Sequence, residues 1–407
     1  MKLWNLLALY FCSIGLAGAQ ILKLDVERVR HPLSGQSKRY ARNIGNDLVA
    51  RQHQEIADKL ENERFFYAAD VEIGTPPQRL NLLLDTGSSD TWAYTPQSQT
   101  QQQPLSVFDP SKSRSFHSNG TSFKIEYGIG SVQGSWGTDK FQIGNALVKG
   151  LSIGIADSGT TQQGIIGIGR PQAEITYKSG HMYENLPMKL AAEGIINTAA
   201  YSLYLDDINA ESGTILFGGV DRSKFDGQLA VLPISHPQHL GITLQNMRTD
   251  GRVQNQLMTA PKVAVLDSGT SLTYFSSDVM QNLHEALNAN PSFAIGEKYY
   301  CDCNVTDNLV LDFGSAAIAV PNYQFLWPIE TIVNPVLATA VFPPNSCYIG
   351  IETIQSNMDF YLIGDDFLRS FYTVYDIQDS RIAIAQVKND GGQPQIEAIR
   401  KDFIPGS

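Results

Sequence analysis

Short alternations of apolar and polar residues, separated by turn-forming residues, recur along most of this chain. Residues 65–73 (FFYAADVEI) and 79–84 (RLNLLL) have the period and composition of strands, and the Gly-Thr-Pro-Pro between them predicts a turn. Residues 121–134 alternate on both sides of a Gly-Ile-Gly tip, which predicts a β-hairpin with Tyr127 at the entry to its tip. The pattern therefore favours an all-β fold.

Helical spacing is confined to short segments. Residues 187–196 and 277–289 have it, and Ser276 or Ser277 is the expected N-cap of the second helix. Residues 96–104 are rich in Gln, Ser and Thr, which predicts an exposed loop. The most apolar stretch after the N-terminus, residues 316–342, is interrupted by three prolines, so we expect no membrane association.

One six-residue stretch occurs twice in the same apolar frame. It reads LDTGSS at residues 84–89 and LDSGTS at residues 266–271. An apolar-apolar-Gly run follows each copy after roughly eighty to a hundred residues, as QGIIGIG at 163–169 and FYLIGD at 360–365. This order indicates internal duplication, with one carboxylate, Asp85 or Asp267, supplied by each half.

The length of 407 residues suits two lobes preceded by a leader. Residues 1–19 have the charged start, apolar run and small final residues of a secretory signal peptide, which places the protein in an oxidising compartment. We expect a pro-segment over residues 20–63, an N-terminal lobe over 64–220, a C-terminal lobe over 221–390 and a loose tail over 391–407.

Charge is unevenly distributed along the chain. The net charge is −11, yet residues 20–51 carry seven basic and three acidic side chains. A basic leader on an acidic body predicts that the pro-segment docks over an acidic cleft and acts as an intramolecular inhibitor. Lys38-Arg39 is the favoured processing site, with Arg51 and Lys59 as alternatives. The acidic body argues against nucleic-acid binding.

Three cysteines remain once the signal peptide is removed: Cys301, Cys303 and Cys347. Because three cysteines allow at most one intramolecular disulfide, only one of Cys301 and Cys303 is expected to pair with Cys347, and one thiol is left over. No histidine lies at metal-ligand spacing from them, so we expect no metal and no cofactor. Asn119 and Asn304 begin glycosylation sequons.

If the two halves pack about a pseudo-twofold axis, Asp85 and Asp267 meet. Two adjacent carboxyls hold one proton between them over a broad acid-to-neutral range. One can then take a proton from a water while the other donates a hydrogen bond to a carbonyl, which is general acid–base amide hydrolysis.

The residues beside each Asp suit this task. Gly87 and Gly269 allow a tight turn and close backbone approach. The hydroxyl groups that follow these glycines, on Ser88 and Thr270, are expected to hydrogen-bond the outer oxygen of their own Asp. The hydroxyl groups directly after each Asp, on Thr86 and Ser268, are expected to hydrogen-bond the opposite loop across the twofold axis.

Taken together, these motifs resemble the pepsin-family aspartic endopeptidases, and most of all their secreted fungal members. The matching runs cover about residues 60–390 and are DTGSSDTW at 85–92, YGIGS at 127–131, GIIG at 164–167, LDSGTS at 266–271 and LIGDDFLR at 362–369. The resemblance implies a bilobal all-β fold with a few short helices and a cleft that binds an extended peptide.

The same resemblance implies roles for individual residues. Asp85 and Asp267 are then the catalytic dyad, and a Cys303–Cys347 disulfide is expected. The flap that covers the substrate would carry Tyr127, Gly128 and Ile129, with Trp92 supporting the tyrosine. Two departures are Ser268, where Thr is usual, and Ile129, where a small polar residue is common.

The resulting hypothesis is a secreted, monomeric acid endopeptidase that acts on peptides or proteins and prefers apolar side chains beside the cleaved bond. Vacuolar delivery is the alternative destination. The alternative function is a catalytically inactive peptide-binding or carbohydrate-binding relative on the same fold.

Overall fold

The computed structural model describes residues 21–30, 65–100, 103–128, 130–208, 210, 212–251, 255–292, 295, 298–333, 335–354, 358–389 and 392–407. The expected signal peptide, most of the expected pro-segment including Lys38-Arg39, and the flap residue Ile129 lie outside these residues.

Strands dominate the first half of the chain. They are β1 Leu22–Arg30, β2 Phe65–Ile73, β3 Gln78–Asp85, β4 Thr91–Thr100, β5 His117–Glu126, β6 Ser131–Ile143, β7 Ala146–Gly159, β8 Ile165–Gly167, β9 Ala200–Tyr204, β10 Ser212–Phe217 and β11 Gly219–Asp221. The first α-helix of the described residues, α1, spans Leu186–Ala192.

The second half has shorter strands and more helices. Its strands are β12 Ala230–Pro233, β13 Gly241–Leu244, β14 Asn246–Thr249, β15 Lys262–Leu266, β16 Tyr274–Phe275, β17 Asn290–Ser292, β18 Lys298–Asp302, β19 Leu309–Asp312, β20 Ala317–Val320, β21 Leu326–Pro328, β22 Ser346–Ile349, β23 Glu352–Thr353, β24 Tyr361–Ile363, β25 Phe371–Asp376, β26 Arg381–Gln386 and β27 Ile396–Ala398. Its helices are α2 Ser277–Ala286, α3 Ile329–Ile332, α4 Pro335–Val341 and α5 Asp365–Leu368.

One large sheet joins strands from both halves of the chain. Its 13 strands run in the order β12-β26-β25-β9-β10-β1-β2-β3-β8-β4-β7-β6-β5, and β13-β15-β24-β16-β23 form a five-stranded sheet in the second half. Smaller sheets are β14-β19-β20, β17-β18-β22-β21 and β11-β27. The prediction of an all-β fold with a few short helices is confirmed.

The duplicated sequence motifs become paired strands within each half. In the first half β3 runs parallel to β8, so that Asp85 lies beside Gly167. In the second half β15 runs parallel to β24, and the Asp267 N–H donates to the Ile363 carbonyl at 2.9 Å. Each apolar-apolar-Gly run therefore supports the strand that delivers its own Asp.

The described part of the leader is a strand of the large sheet. β1 pairs with β10 on one side and β2 on the other. Leu22, Leu24 and Val26 are buried on one face, while the residues between them are exposed. The expectation that the leader covers the cleft does not hold for residues 21–30, because they lie within the sheet.

Two local expectations are wrong. The C-terminal tail is packed rather than loose, since β27 pairs with β11 and the apolar side chains of Ile399 and Ile404 are buried. The polar segment after Pro96 continues as β4, and Gln99 and Thr100 pair with β7 instead of forming a loop.

Candidate active site

Two equivalent turns present the two aspartates at the ends of their strands. The Gly87 N–H donates to Asp85 Oδ1 at 2.7 Å, and the Gly269 N–H donates to Asp267 Oδ1 at 2.9 Å. The outer oxygens accept hydroxyl groups: Ser88 donates to Asp85 Oδ2, and Thr270 donates to Asp267 Oδ2 at 2.7 Å. These bonds fix the plane of each carboxyl group.

A crossed set of four hydrogen bonds joins the two turns. Thr86 Oγ1 donates to the Leu266 carbonyl at 2.8 Å and accepts the Ser268 N–H at 2.9 Å. Ser268 Oγ donates to the Leu84 carbonyl at 2.8 Å and accepts the Thr86 N–H at 3.2 Å. Both hydroxyl groups are buried, so the bonds lock the relative position of the two aspartates without competition from water.

The two carboxyl groups lie against each other's turn. A Cβ atom on Gly87 would overlap the Asp267 carboxyl, and one on Gly269 would overlap the Asp85 carboxyl. Asp85 is 5% exposed and Asp267 is 8% exposed. Burial first, and then the charge of Asp267, raise the pKa of Asp85 to about 7, against the opposing effect of the Ser88 and Gly87 hydrogen bonds. The pair therefore keeps one proton through the acid range.

The predicted flap hairpin is formed by β5 and β6, with Tyr127 at its tip. The buried indole of Trp92 donates its Nε1–H to the Tyr127 hydroxyl at 2.7 Å. Burial raises the pKa of Tyr127 well above its ordinary value, so the phenol stays protonated. Tyr127 and Gly128 line the cavity that contains the dyad.

This cavity has a volume of about 610 Å³ and is lined by both halves of the chain. Much of its wall is apolar, including Phe66, Leu83, Leu105, Ile125, Ile165, Ile175, Val265, Leu272, Met358, Phe360 and Leu362. Its size and lining suit several side chains of an extended peptide beside the two carboxyl groups.

Two acidic residues that line the cavity on the side of the first half, Asp90 and Glu174, were not predicted from the sequence. Asp90 accepts the Tyr183 hydroxyl at 2.6 Å and the Ile175 N–H at 2.9 Å, and Glu174 accepts the Tyr183 N–H at 3.0 Å. Burial raises the pKa of Asp90 to about 6 and that of Glu174 to about 8. Asp90 stands in the DTGSSDTW run itself, which was the available signal.

Histidines on the opposite wall were missed as well. His239 lines the cavity, and its Nδ1 lies 3.0 Å from the carbonyl oxygen of Gly87. The signal was the pair of histidines at residues 236 and 239, just before β13. The hydrogen-bond partner of the His239 ring belongs to the first half of the chain, which local sequence pattern does not reveal.

The other predicted residues lie away from the dyad. Cys303 and Cys347 form a disulfide, and the buried Cys301 stands opposite Cys347 in the β18–β22 register. Asn119 and Asn304 are both exposed. Among the described residues no group of His, Cys, Asp or Glu is arranged to hold a metal ion, and no described helix is long and apolar enough to cross a membrane.

Pseudo-equivalent turns thus bring two carboxyl groups together under a tyrosine-bearing hairpin, an arrangement that general acid–base hydrolysis by paired carboxyl groups requires. The family model "Eukaryotic aspartyl protease" matches residues 66–387. The chain belongs to this family and is an aspartic-type endopeptidase, whose substrates are peptides or proteins.

Relatives among fungal proteases agree with this assignment. The chain is 35% identical over 377 residues to aspartic proteinase yapsin-3 of Saccharomyces cerevisiae, a match that covers 86% of this chain and 71% of the relative. It is 35% identical over 356 residues to candidapepsin-3 of Candida albicans (84% and 85%). It is 33% identical over 386 residues to an acid protease of Saccharomycopsis fibuligera (90% and 92%).

The crystal structure of an aspartic proteinase from Irpex lacteus has the same fold. The TM-score is 0.66 at 24% sequence identity, and the match covers 79% of this chain and 94% of that chain.

Proposed function

We propose that this chain is a secreted endopeptidase that hydrolyses peptide bonds at acid pH by activating a water molecule between Asp85 and Asp267. The observation that carries the proposal is the crossed hydrogen-bond set of the two turns, which holds two buried carboxyl groups where they share one proton.

In this mechanism the ionised carboxylate takes a proton from the water as the water oxygen attacks the peptide carbonyl carbon. The protonated carboxyl donates a hydrogen bond to the carbonyl oxygen and stabilises its developing charge. The carboxyl group that took the proton from water then passes it to the amide nitrogen, the C–N bond breaks, and the tetrahedral intermediate collapses to a carboxylic acid and an amine. The dyad then returns to its singly protonated form.

The flap and the cavity wall supply substrate binding. Tyr127, held by the Trp92 indole, covers the peptide and restricts access of bulk water to the dyad. The largely apolar lining favours apolar side chains next to the cleaved bond.

Export and activation complete the proposal. Relatives in Candida albicans carry the name secreted aspartic protease, and residues 1–19 of this chain have the pattern of a signal peptide. The basic residues between β1 and β2 include the Lys38-Arg39 pair, at which cleavage would release a monomeric mature enzyme from its inhibitory pro-segment.

The test is substitution of each dyad residue in the full-length precursor. Asp85→Asn and Asp267→Asn should each lower the rate of cleavage of a denatured protein at pH 4 by at least about a thousandfold, because neither leaves an acid and a base together. Asp157→Asn, an exposed position on β7, is the matched control and should retain full activity.

A statine-type peptide should inhibit the native enzyme. Undiminished acid cleavage in either dyad variant would refute the mechanism. Peptide binding without turnover in the native protein would identify the chain as a non-catalytic relative.

A further inference from the structure

A loop of the second half, residues 235–240, reaches across to the first half beside the dyad. The guanidinium of Arg170 donates to the carbonyls of His236 at 2.7 Å and Pro237 at 3.2 Å. The side-chain amide of Gln238 donates to the Gln172 carbonyl at 3.3 Å. These contacts hold His239 in place on the cavity wall.

The hydrogen bonds of His239 determine which of its nitrogens titrates. Nδ1 lies 3.0 Å from the Gly87 carbonyl oxygen, which can only accept, so Nδ1 carries a proton. Nε2 is therefore the atom that gains or loses a proton when the ring changes charge. The neutral ring presents an acceptor at Nε2, and the imidazolium presents a donor and a positive charge.

His236 differs from its neighbour in this respect. Its Nδ1 accepts the Gln238 N–H at 3.1 Å and the His239 N–H at 2.9 Å. Protonation at Nδ1 would break both bonds, and burial also lowers the pKa of His236, so the charged form of this ring is disfavoured. Of the two rings, His239 is the one whose charge responds readily to pH.

The charged groups around His239 come from both halves. Burial lowers its pKa below the ordinary 6.5 and Arg170 acts in the same direction, whereas the Gly87 bond and Asp267 oppose them. The His236 ring packs against the His239 ring at a tilt of 37°, with 4.9 Å between the ring centroids, and the Phe360 ring lies 5.6 Å away. The charge of Asp359 acts to raise the pKa of His236. His239 thus becomes a cation only in acid, where the proposed peptidase works.

We infer that His239 is a specificity-determining residue whose imidazolium form favours peptide substrates with an Asp or Glu side chain against this wall of the cleft. The inference rests on the proposed function. A carboxylate side chain is itself ionised only above about pH 4. The preference for an acidic substrate side chain should therefore be greatest at a pH between the pKa of that side chain and the pKa of His239. It should fall at lower pH, where the side chain is protonated, and at higher pH, where His239 is neutral.

The experiment compares peptide pairs that differ only by Glu or Gln, placed in turn at each position flanking the cleaved bond. We expect the ratio of kcat/KM for Glu over Gln to follow a bell-shaped pH profile at one position. Its maximum should be about three- to fivefold, the size of a partly exposed ion pair.

Two variants separate the charge of His239 from its structural role. His239→Asn keeps an N–H near the position of Nδ1 and has no titrating Nε2, while His239→Leu has neither. The Glu-to-Gln ratio should be flat with pH in both, and kcat/KM for the Gln peptide should be lower in His239→Leu. His117→Asn, an exposed position on β5, should preserve the bell.

A flat ratio in the native enzyme, or an unchanged bell in His239→Asn, would overturn the inference while leaving the proposed function intact. Failure to cleave either peptide would instead count against the proposed function.

Discussion

At the scale of single residues, two of the four crossed hydrogen bonds depend on the hydroxyl group of Ser268, the counterpart of Thr86 in the first copy of the motif. Ser268→Ala would leave the Leu84 carbonyl and the Thr86 N–H buried without partners. We expect a loss of about 1–3 kcal/mol in the free energy of unfolding and a roughly tenfold fall in kcat, because the two carboxyl groups shift apart.

Ser268→Thr is the control, since it keeps the hydroxyl and adds one methyl group. Urea unfolding and steady-state kinetics would measure both effects. If Ser268→Ala and Ser268→Thr behave alike, the hydroxyl is not what aligns the dyad.

The Trp92–Tyr127 hydrogen bond makes a second prediction at this scale. Trp92→Phe removes the Nε1–H donor, so the flap tyrosine loses its anchor and kcat/KM should fall about three- to tenfold.

Trp136→Phe is the matched control because Trp136 lies in the same apolar cluster and its Nε1 has no hydrogen-bond partner among the described residues. Both variants lose similar apolar volume, so their melting temperatures should be alike. An equal fall in kcat/KM in both would assign the effect to packing.

Much of the geometry of the dyad could be predicted from the sequence because the hydrogen-bond donors to each Asp are its neighbours along the chain. Each Asp carboxyl group accepts hydrogen bonds from the residues two and three positions further along the chain. Because the motif occurs twice, each copy supports the interpretation of the other. His239 and Glu174 could not be predicted in this way. The partner of His239 is the carbonyl of Gly87, which any residue would supply, so no side-chain pattern marks the contact.

At the scale of elements, the leader strand β1 lies between β2 and β10 in the large sheet. Val26→Asp would place a carboxylate on its fully buried face and should destabilise the precursor by at least about 3 kcal/mol.

Lys23→Asp puts the same side chain on the exposed face of β1 and should change stability by less than about 0.5 kcal/mol. Urea unfolding of the purified precursor measures the difference. Equal midpoints would mean that β1 contributes nothing to the stability of the folded precursor.

The alternation of apolar and polar residues in LKLDVE at residues 22–27 is typical of a strand with one buried face, whereas the net charge of the leader predicts electrostatic docking over the cleft. Net charge indicates only that the leader is attracted to the acidic body, whereas the alternation of apolar and polar residues indicates which face of the strand is buried. The C-terminal tail shows the same point, because Ile399 and Ile404 are buried among charged and glycine-rich neighbours. Composition alone could not distinguish such an anchored segment from a loose one.

At the scale of the whole molecule, the two halves share the 13-stranded sheet and the interface around the dyad. Several carboxyl groups are buried within this body. Burial raises the pKa of Asp366 to about 7, of Asp90 to about 6 and of Glu174 to about 8. In the unfolded chain these groups ionise near pH 4. Histidines with a lowered pKa, namely His236, His239 and His284, oppose this effect below about pH 6.5, but the carboxyl groups with a raised pKa outnumber them. The folded protein therefore binds more protons than the unfolded chain between about pH 4 and pH 8.

Stability must consequently fall as the pH rises through this range, because ionisation of these carboxyl groups favours the unfolded chain. Each pKa unit corresponds to about 1.4 kcal/mol, so we expect Tm to be roughly 10 °C lower at pH 7.5 than at pH 5.

Asp85→Asn protein, which should not digest itself, is suited to calorimetry at constant ionic strength. Glu174 is 3% exposed, and its replacement by Gln in the Asp85→Asn protein should reduce the fall of Tm with rising pH. Glu126→Gln, on an exposed position of β5, should leave it unchanged. A Tm that stays constant or rises with pH would show that these groups are already ionised in the folded protein.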